Sequence, residues 1–355
     1  MAHSRFSAKH DMMDNRIVNM IRTNEPCRGV QTPMITRIVT PSESGKRLHR
    51  YVRSLMPNYP LGQIYKMIDQ GKVKVNGKRK KDTYELAAGD ELTIHIEDDM
   101  FKEANAGAVE KKVKFAGVIS KIDVVYEDGE LLVVNKPAGL LTHPDQSEQK
   151  ETLITRVHAY LHKKGELDSR LFLPATANRL DRNTSGLVLI GKTAGMLHQL
   201  NQWIQKRELD KYYITVVEGA LTERGTVDAK LVRDESGNRT RVVRDDTAGQ
   251  RKETEAAEKE ATTHYRPLQA GRGYTLIEVE LISGRTHQIR THLQSIGHPL
   301  LGDIKYGGKA FEDVNHQLLH AWKISLADGR TFIAPLPPLF RSVLRKTGID
   351  FAMPV

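Results

Sequence analysis

The chain has 355 residues, of which 39% are hydrophobic and 28% are charged, a composition typical of soluble globular proteins. Its net charge of +10 and pI of about 9.4 favour a polyanionic partner, either a nucleic acid or a membrane surface. No apolar run approaches the roughly 20 residues that span a bilayer, and no secretory leader is evident. The single cysteine, Cys27, excludes an internal disulfide, so we expect a reducing, cytoplasmic location. We also expect no membrane partner.

The first 33 residues show no sustained period and predict a poorly ordered extension. Residues 34–97 predict a small domain of two helices followed by a small sheet. Its apolar residues recur at helical spacing at 48, 52 and 55, and again at 64, 67 and 68. Alternation at 72–78, before an Asn-Gly turn, predicts a hairpin, and alternation at 92–96 predicts a further strand.

This small domain is rich in positive charge. Between residues 46 and 97, Lys and Arg outnumber Asp and Glu by 11 to 6. Positive side chains on one face neutralise phosphates and release counterions, although a solvated charged surface has the same composition. The candidate RNA-binding residues are Arg47, Arg50, Arg53, Lys66, Lys72, Lys74, Lys78 and Arg79.

A charged segment at 98–113 has no apolar face and predicts an interdomain linker. Residues 114–350 then predict one large α+β domain. Its strands are expected at 131–135, 187–190, 212–217 and 274–282. Thr193 is a plausible N-cap for a helix with one apolar stripe. The densely charged residues 233–262 predict an exposed excursion or long loop.

The stretch Arg179-Leu180-Asp181-Arg182-Asn183-Thr184-Ser185-Gly186 places one carboxylate between two arginines, ahead of an apolar run. A carboxylate flanked by fixed positive charge stays ionised at neutral pH. Such an aspartate can serve as a nucleophile or a base, and the arginines can hold an anionic substrate. Taken alone, the stretch is more typical of a salt-bridged surface loop, and the rest of the sequence reverses that interpretation.

Segment 283–293 carries two arginines and two histidines within eight residues, directly after a predicted strand. Its cations can pair with Asp181 or bind phosphates. His287 and His292 are five residues apart, which fits one helical face poorly, and no acidic or cysteine partner lies at a ligand-like spacing. We therefore predict no metal site. Walker-type and dinucleotide-binding glycine loops and a nucleophile elbow are also missing from the sequence.

Two further residues stand at strand ends. Lys136 directly follows a buried strand, and a strand packed only for the core does not explain a lysine there. Tyr213 lies near the start of another strand, where tyrosines usually serve packing.

These stretches, in this order, resemble the RluA/RluC/RluD family of ribosomal RNA pseudouridine synthases. Residues 178–186 are similar to the signature HRLDxxTSG, with Asn178 in place of the usual His, and residues 284–290 match GRTHQIR without a change. Residues 297–307 match the pattern GHPxxGDxxYG, and His320-Ala321 resembles a late LHA element. Residues 71–77 resemble the centre of an S4 RNA-binding domain, most like the RluC branch. The resemblance covers roughly residues 46–340.

The resemblance implies an α+β catalytic domain with a mixed, mainly antiparallel sheet and flanking helices, preceded by a small α/β S4 domain. It implies isomerisation of specific uridines to pseudouridine, in 23S ribosomal RNA or pre-ribosomal particles, by a monomer without metal or cofactor. Asp181 is implied as the catalytic carboxylate. The sequence leaves open whether this group attacks the nucleoside or removes a sugar proton, the glycal route.

Other site residues are carried by the same resemblance. Tyr213 is expected beneath the base, where it would remove the C5 proton, and this phenol would need help from its setting. Arg290 is expected to pair with Asp181, with Arg285 as the weaker candidate. Arg179 is expected to fill the gap left by a flipped base. The substrate-binding candidates are Arg179, Lys136, Arg285 and His287.

Two alternatives to a ribosomal RNA synthase remain. The first is a synthase that acts on transfer RNA, and the second is a ribosome-assembly factor that binds RNA without catalysing a reaction. A zinc deaminase is excluded, because the H-x-E and P-C-x-x-C ligands of that class are missing from the sequence.

Overall fold

A computed structural model describes residues 34–105, 117–167, 171–234, 239–243 and 258–352. The predicted N-terminal extension, residues 1–33, lies outside these ranges. Among the described residues, no helix combines the length and the apolar character that crossing a membrane requires. The described chain contains a small sheet near its start and a large sheet that positions the candidate site.

The small unit has strands on both sides of its helices. Its elements are β1 (Met34–Ile38), a 3-10 turn (Pro41–Glu43), α1 (Leu48–Leu55), α2 (Leu61–Asp69), β2 (Val73–Val75), β3 (Glu91–His95) and α3 (Asp98–Asn105). The sheet order is β1-β3-β2, with antiparallel pairs. The predicted apolar stripes of both helices are confirmed, because Leu48, Val52 and Ile64 are fully buried in one core with the sheet.

Three features of this unit differ from the expectations. β1 was missed, because its burial alternates on an edge strand and its exposed face carries the apolar Met34 and Ile38. The Asn76-Gly77 turn closes on a single bridge between Val75 and Lys78, and β2 then pairs with β3, so a two-stranded hairpin is wrong. The predicted linker begins as α3, and Phe101 packs on the small core.

The large unit forms a mixed sheet with helices on its faces. Its elements are β4 (Val124–Glu127), β5 (Leu131–Lys136), α4 (Leu153–Lys163), β6 (Ala175–Thr176), β7 (Ser185–Gly191), α5 (Ala194–Lys206), β8 (Asp210–Glu218), β9 (Gly225–Asp234), β10 (Arg239–Val242), β11 (Lys259–Ala270), β12 (Tyr274–Leu281), α6 (Gln288–Ser295), β13 (Leu319–Ser325), β14 (Thr331–Ile333) and α7 (Pro338–Lys346).

Over the described residues the strand order is β10-β9-β11-β12-β8-β13-β7-β5-β4, with β14 on β13 and β6 on β7. Among these named strands, only β7 and β13 pair in parallel. The predicted α+β fold with a mainly antiparallel sheet is confirmed. The expected long loop at 233–262 is wrong where it is described, because β9, β10 and β11 continue the sheet there, while residues 235–238 and 244–257 lie outside the described ranges.

The central strands are covered on both faces. Along β5, Leu132 and Val134 face one core with α4, whereas Leu131 and Val133 face another core with α5. This double burial explains why β5 and β7 are continuous apolar runs instead of alternating ones. Thr193 caps α5 as predicted, and its hydroxyl accepts a hydrogen bond from the Met196 N–H.

Gly186 fixes the contact between β7 and β13. Its φ of +114° lies outside the range that other residues readily adopt, and a Cβ atom there would lie 2.1 Å from the Ala321 carbonyl oxygen. Only glycine allows the two backbones to come this close. The glycine that ends the aspartate motif therefore holds the turn of Asp181 against the middle of the sheet.

Candidate active site

Asp181 lies in the turn that joins β6 to β7. The Thr184 N–H donates to the Asp181 carbonyl at 3.1 Å. Thr142 holds the preceding residue from below: its hydroxyl donates to the Leu180 carbonyl at 2.8 Å and accepts from the Leu180 N–H at 3.1 Å. The Asp181 side chain is 27% exposed, so the carboxylate is fixed at its base and open to solvent.

Asn178, the residue that departs from the family signature, supports the same turn. Its carboxamide accepts from the Leu189 N–H at 2.8 Å and donates to the Leu187 carbonyl at 3.2 Å. The side chain thus continues the pairing of β6 along β7 and fixes the path of the chain toward Asp181.

Lys136 stabilises the turn from inside the protein. Its side chain is fully buried, and Nζ donates to the carbonyl oxygens of Leu140, Pro137 and Arg182 at 2.6, 2.9 and 3.0 Å. Burial lowers the pKa of this amine to about 7, and the nearby Asp181 carboxylate opposes that shift. The expectation that Lys136 lines the cleft is therefore wrong; it ties the Arg182 carbonyl, next to Asp181, to the loop after β5.

Arg290, on α6, faces two carboxylates. Its Nε and Nη2 donate to the two oxygens of Asp303 at 2.6 and 2.7 Å, and its Nη1 lies 3.5 Å from Oδ2 of Asp181. The Tyr306 ring lies 4.6 Å from the guanidinium carbon. Burial opposes the charge of Arg290, but the hydrogen bonds and charge of Asp303 prevail and raise its pKa. The expected pairing of Arg290 with Asp181 is present, and Asp303 is its stronger partner.

His287 also faces Asp181, with Nε2 3.8 Å from Oδ2, the same oxygen that Arg290 approaches. Its Nδ1 lies 2.8 Å from the Tyr306 hydroxyl, which also accepts from the Thr240 N–H at 2.8 Å. Burial lowers the pKa of His287 to about 4, although Asp181 opposes the shift. The imidazole is therefore neutral at neutral pH. Since the Tyr306 oxygen already accepts from Thr240, we assign its proton to Nδ1 of His287, which leaves an N–H on Nε2 facing Asp181.

Tyr213 lies on β8, next to Ala321 of β13 and Val279 of β12, and is buried in the core beneath the site. Burial, and then the charge of Asp181, raise the pKa of its phenol well above the ordinary value. A setting that assists proton removal by Tyr213 was expected, whereas burial raises the pKa of this phenol.

The remaining predicted residues lie at the surface. Arg179 is exposed, and its charge helps to lower the pKa of His143, which burial lowers first. Arg285 is exposed, and its Nε donates to the Glu260 carbonyl at 3.2 Å. Arg290 and not Arg285 is therefore the partner of Asp181.

The predicted RNA-binding residues lie on the small unit. Within the described chain, none of their side chains forms a salt bridge or hydrogen bond, so their charges are available to phosphates. Six are exposed and two, Arg47 and Lys74, are half-buried. The eight are Arg47, Arg50, Arg53, Lys66, Lys72, Lys74, Lys78 and Arg79.

Sequence reasoning missed Asp303, Tyr306 and Thr142. Asp303 and Tyr306 stood in the matched pattern GHPxxGDxxYG, but no role was given to them. A buried aspartate next to a predicted catalytic arginine was the available signal. Thr142 carried no sequence signal. In the part of the chain that the structure describes, no group of three or more His, Cys, Asp or Glu side chains is placed to hold a metal ion.

Comparisons with known proteins point to one family. The family model described as RNA pseudouridylate synthase matches residues 130–295, and the S4 domain model matches residues 46–92. An uncharacterised RNA pseudouridine synthase, YlyB of Bacillus subtilis, is 32% identical over 87% of this chain and 98% of its own length.

Two relatives carry a ribosomal name. Ribosomal large subunit pseudouridine synthase D of Yersinia pestis is 33% identical over 79% of this chain and 78% of its own, and that of Haemophilus influenzae is 30% identical over 88% and 94%. These are D-type enzymes, so they do not support the resemblance to the RluC branch. A solved structure of human RNA Pseudouridylate Synthase Domain Containing 4 shares the fold, with a TM-score of 0.52 and 21% identity over 64% of this chain and 94% of its own.

Proposed function

Because this chain belongs to the RNA pseudouridylate synthase family and is an enzyme that isomerises uridine to pseudouridine in RNA, we propose that its substrate is large-subunit ribosomal RNA. The relatives named as ribosomal large subunit enzymes, at 30–33% identity over most of the chain, support this substrate. The catalytic role of Asp181 is supported by one observation: its carboxylate is accessible to solvent and lies 3.5 Å from the fixed guanidinium of Arg290.

Asp181 acts on the sugar of the target uridine. In one route its oxygen attacks C1′, and the C1′–N1 bond breaks with its electron pair left on N1. In the glycal route the carboxylate removes the proton from C2′ as the same bond breaks. In both, the uracil turns and C5 bonds to C1′; the bond from Asp181 to C1′ breaks in the first route, and the proton returns from Asp181 to C2′ in the second. The C5 proton is then lost and N1 gains a proton, so the product is an isomer. Both routes need an ionised carboxylate at a fixed position.

Arg290 and His287 hold that carboxylate. Asp303 fixes the guanidinium, so the positive charge beside Asp181 is oriented before the substrate arrives. His287 presents an N–H to the same carboxylate oxygen. Tyr213 forms the wall beneath the uracil, and removal of the C5 proton falls to Tyr213, to Asp181 or to water.

The uridine leaves its stack to reach this carboxylate, because the reacting atoms are covered inside an RNA helix. Arg179 is exposed beside Asp181 in sequence, and its planar guanidinium can stack in the gap that the flipped base leaves. The basic small unit at 34–97, an S4 domain, holds the RNA backbone while the domain from residue 114 carries out the reaction. The enzyme works as a monomer on naked or partly assembled ribosomal RNA.

A transfer RNA substrate and a non-catalytic assembly factor are the competing functions. The test incubates the purified chain separately with unmodified large-subunit ribosomal RNA and with unmodified transfer RNA, both labelled with tritium at C5 of uridine. We expect tritium release and mapped pseudouridines in the ribosomal RNA alone. Release only from transfer RNA would reject the substrate, and release from neither would reject the catalytic function.

A further inference from the structure

A cavity of about 390 Å³ lies beside Tyr306 between β10 and α6. This volume falls within the range of ligand pockets, about 300–1,000 Å³. Its wall includes Arg239, Thr240 and Arg241 of β10, Gln294 of α6, and the Tyr306 ring. None of these residues has been given a role in the reaction as substrate ligand, and the cavity does not contain Asp181.

The cavity shares one wall with the active site. The Tyr306 ring lies 4.6 Å from the guanidinium carbon of Arg290 and 5.3 Å from that of Arg239. The two guanidinium carbons are therefore no farther apart than the sum of these distances, a span that adjacent nucleotides of one RNA strand can bridge. This separation is compatible with one RNA strand that contacts both sites.

The cavity has the charge of an anion site. Arg239 and Arg241 are both exposed at its rim, and Asp234 is the acidic residue on the wall. Two arginines and one aspartate on the wall give the cavity a net positive charge, which favours a phosphate.

The cavity also carries polar groups that lack partners within the described chain. The Thr240 side chain is 4% exposed, yet its hydroxyl oxygen makes no hydrogen bond. A buried hydroxyl without a hydrogen-bond partner lowers the stability of the protein unless a ligand or a water molecule bonds to it. The Gln294 amide on the opposite wall is exposed and makes no hydrogen bond to any described residue, and an amide can donate to and accept from a base edge.

We propose that the cavity between β10 and α6 binds the nucleotide adjacent to the target uridine in the RNA. Arg239 and Arg241 hold its phosphate, and Gln294 and Thr240 contact its base or ribose. The cavity would then contribute to the choice of target, since it contacts a base that does not react. This inference rests on the proposed function, because it requires an RNA held at Asp181.

The test is a cycle between protein variants and modified RNA. The probe is an oligonucleotide around a uridine that the wild-type enzyme modifies, made with an abasic residue on either side of that uridine or with a methylphosphonate at either neighbouring phosphate. Variants are Gln294→Ala and Arg241→Gln, with Arg345→Gln on α7, an exposed arginine outside the cavity, as the charge-matched control.

For the wild type, the abasic residue on one side should lower kcat/KM about 10-fold, as expected for the loss of one bound base. On intact RNA, Gln294→Ala should lower kcat/KM by a similar factor. On the abasic RNA, which already lacks the bound base, Gln294→Ala should lower kcat/KM little further. Arg241→Gln should behave in the same way toward one methylphosphonate, while the control matches the wild type. If the loss of kcat/KM from each protein variant multiplied with the loss from the RNA change at both flanking positions, the inference would be overturned.

Thr240→Val provides a second test of the proposed site. If the hydroxyl only fills space, replacing it removes an unpartnered polar atom, so the melting temperature rises or stays constant and KM is unchanged. A raised KM at an unreduced melting temperature supports a ligand contact, and an unchanged KM opposes it. An inactive wild-type protein on every RNA would instead reject the proposed function, and the inference with it.

Discussion

Asp303 accepts two charge-assisted hydrogen bonds from Arg290, at 2.6 and 2.7 Å, and its side chain is only 1% exposed. The same guanidinium lies 3.5 Å from Asp181, which is 27% exposed. The buried aspartate therefore orients the arginine, and the arginine presents one remaining edge to the accessible aspartate. Two carboxylates share one cation, but only one of them can meet a substrate.

Asp303→Asn should separate positioning from binding. Asparagine keeps the size but loses the charge and turns an N–H₂ group toward a donor, so Arg290 shifts. We expect kcat to fall about 100-fold, as a misplacement of the order of 1 Å produces. KM should change little. Breaking the buried pair should also lower the free energy of unfolding by about 3–5 kcal/mol.

The measurements are C5-tritium release and urea unfolding, with exposed Asp313→Asn as the matched control. An unchanged kcat in Asp303→Asn would show that Arg290 needs no second carboxylate.

Lys136→Met should loosen the Asp181 turn. Methionine fits the buried stem but leaves the carbonyl oxygens of Pro137, Leu140 and Arg182 without their shared donor. Each orphaned carbonyl is costly, so we expect the free energy of unfolding to fall by about 3 kcal/mol or more. Single-turnover rates should fall about 10-fold or more. Exposed Lys206→Met should leave both quantities unchanged; equal behaviour of the two variants would refute the role of Lys136.

The free energy of unfolding should fall as the pH is lowered below about 6.5, before the carboxylates begin to be protonated. Burial lowers the pKa of His287, His292 and His320 to about 4, whereas histidine in the unfolded chain titrates near 6.5. Between these values the unfolded chain binds more protons, so the stability present above pH 6.5 is progressively lost as pH falls toward 4. Each such proton contributes up to about 1.4 kcal/mol per pH unit.

Urea unfolding between pH 7 and 5 measures this slope. A free energy of unfolding that stays constant, or rises as the pH falls, would contradict the neutral, buried state of these histidines.

Gly186→Ala should be among the most destabilising single changes in the chain. The added methyl would overlap the Ala321 backbone, which cannot move without breaking the pairing of β7 with β13. We expect a loss of at least about 4 kcal/mol, or no folded protein. Gly62→Ala is the contrast, because Gly62 lies in α2 with no atom near the new methyl; it should gain about 0.5–1 kcal/mol. Thermal unfolding compares them, and a well-folded Gly186→Ala would contradict the described strand contact.

The elements set by local pattern were predictable. The strands at β5, β7, β8 and β12 and the Thr193 cap follow from apolar runs, alternation and capping chemistry, which depend on near neighbours. The sequence pattern did not predict β10 or the start of β11, because both are rich in charged residues. These strands lie toward the end of the sheet, where one face meets water and charged side chains are tolerated.

The site was predictable only in part. Asp181 and Arg290 came from family signatures, since nothing local indicates that residues 109 positions apart approach each other. The roles of Asp303 and Lys136 depend on burial and on which oxygen atoms surround them. Tyr213 shows the same limit, because its neighbours decide whether the pKa of the phenol rises or falls, and they raise it.

The proposed mechanism depends on the Asp181 carboxylate, which carries out the isomerisation. The most direct measurement is pseudouridine formation in large-subunit ribosomal RNA by Asp181→Asn, with RNA affinity and thermal unfolding recorded for the same preparation. We expect no detectable pseudouridine, a native melting temperature and RNA affinity close to that of the wild type. Pseudouridine formation at the wild-type rate by this variant would contradict the proposed mechanism.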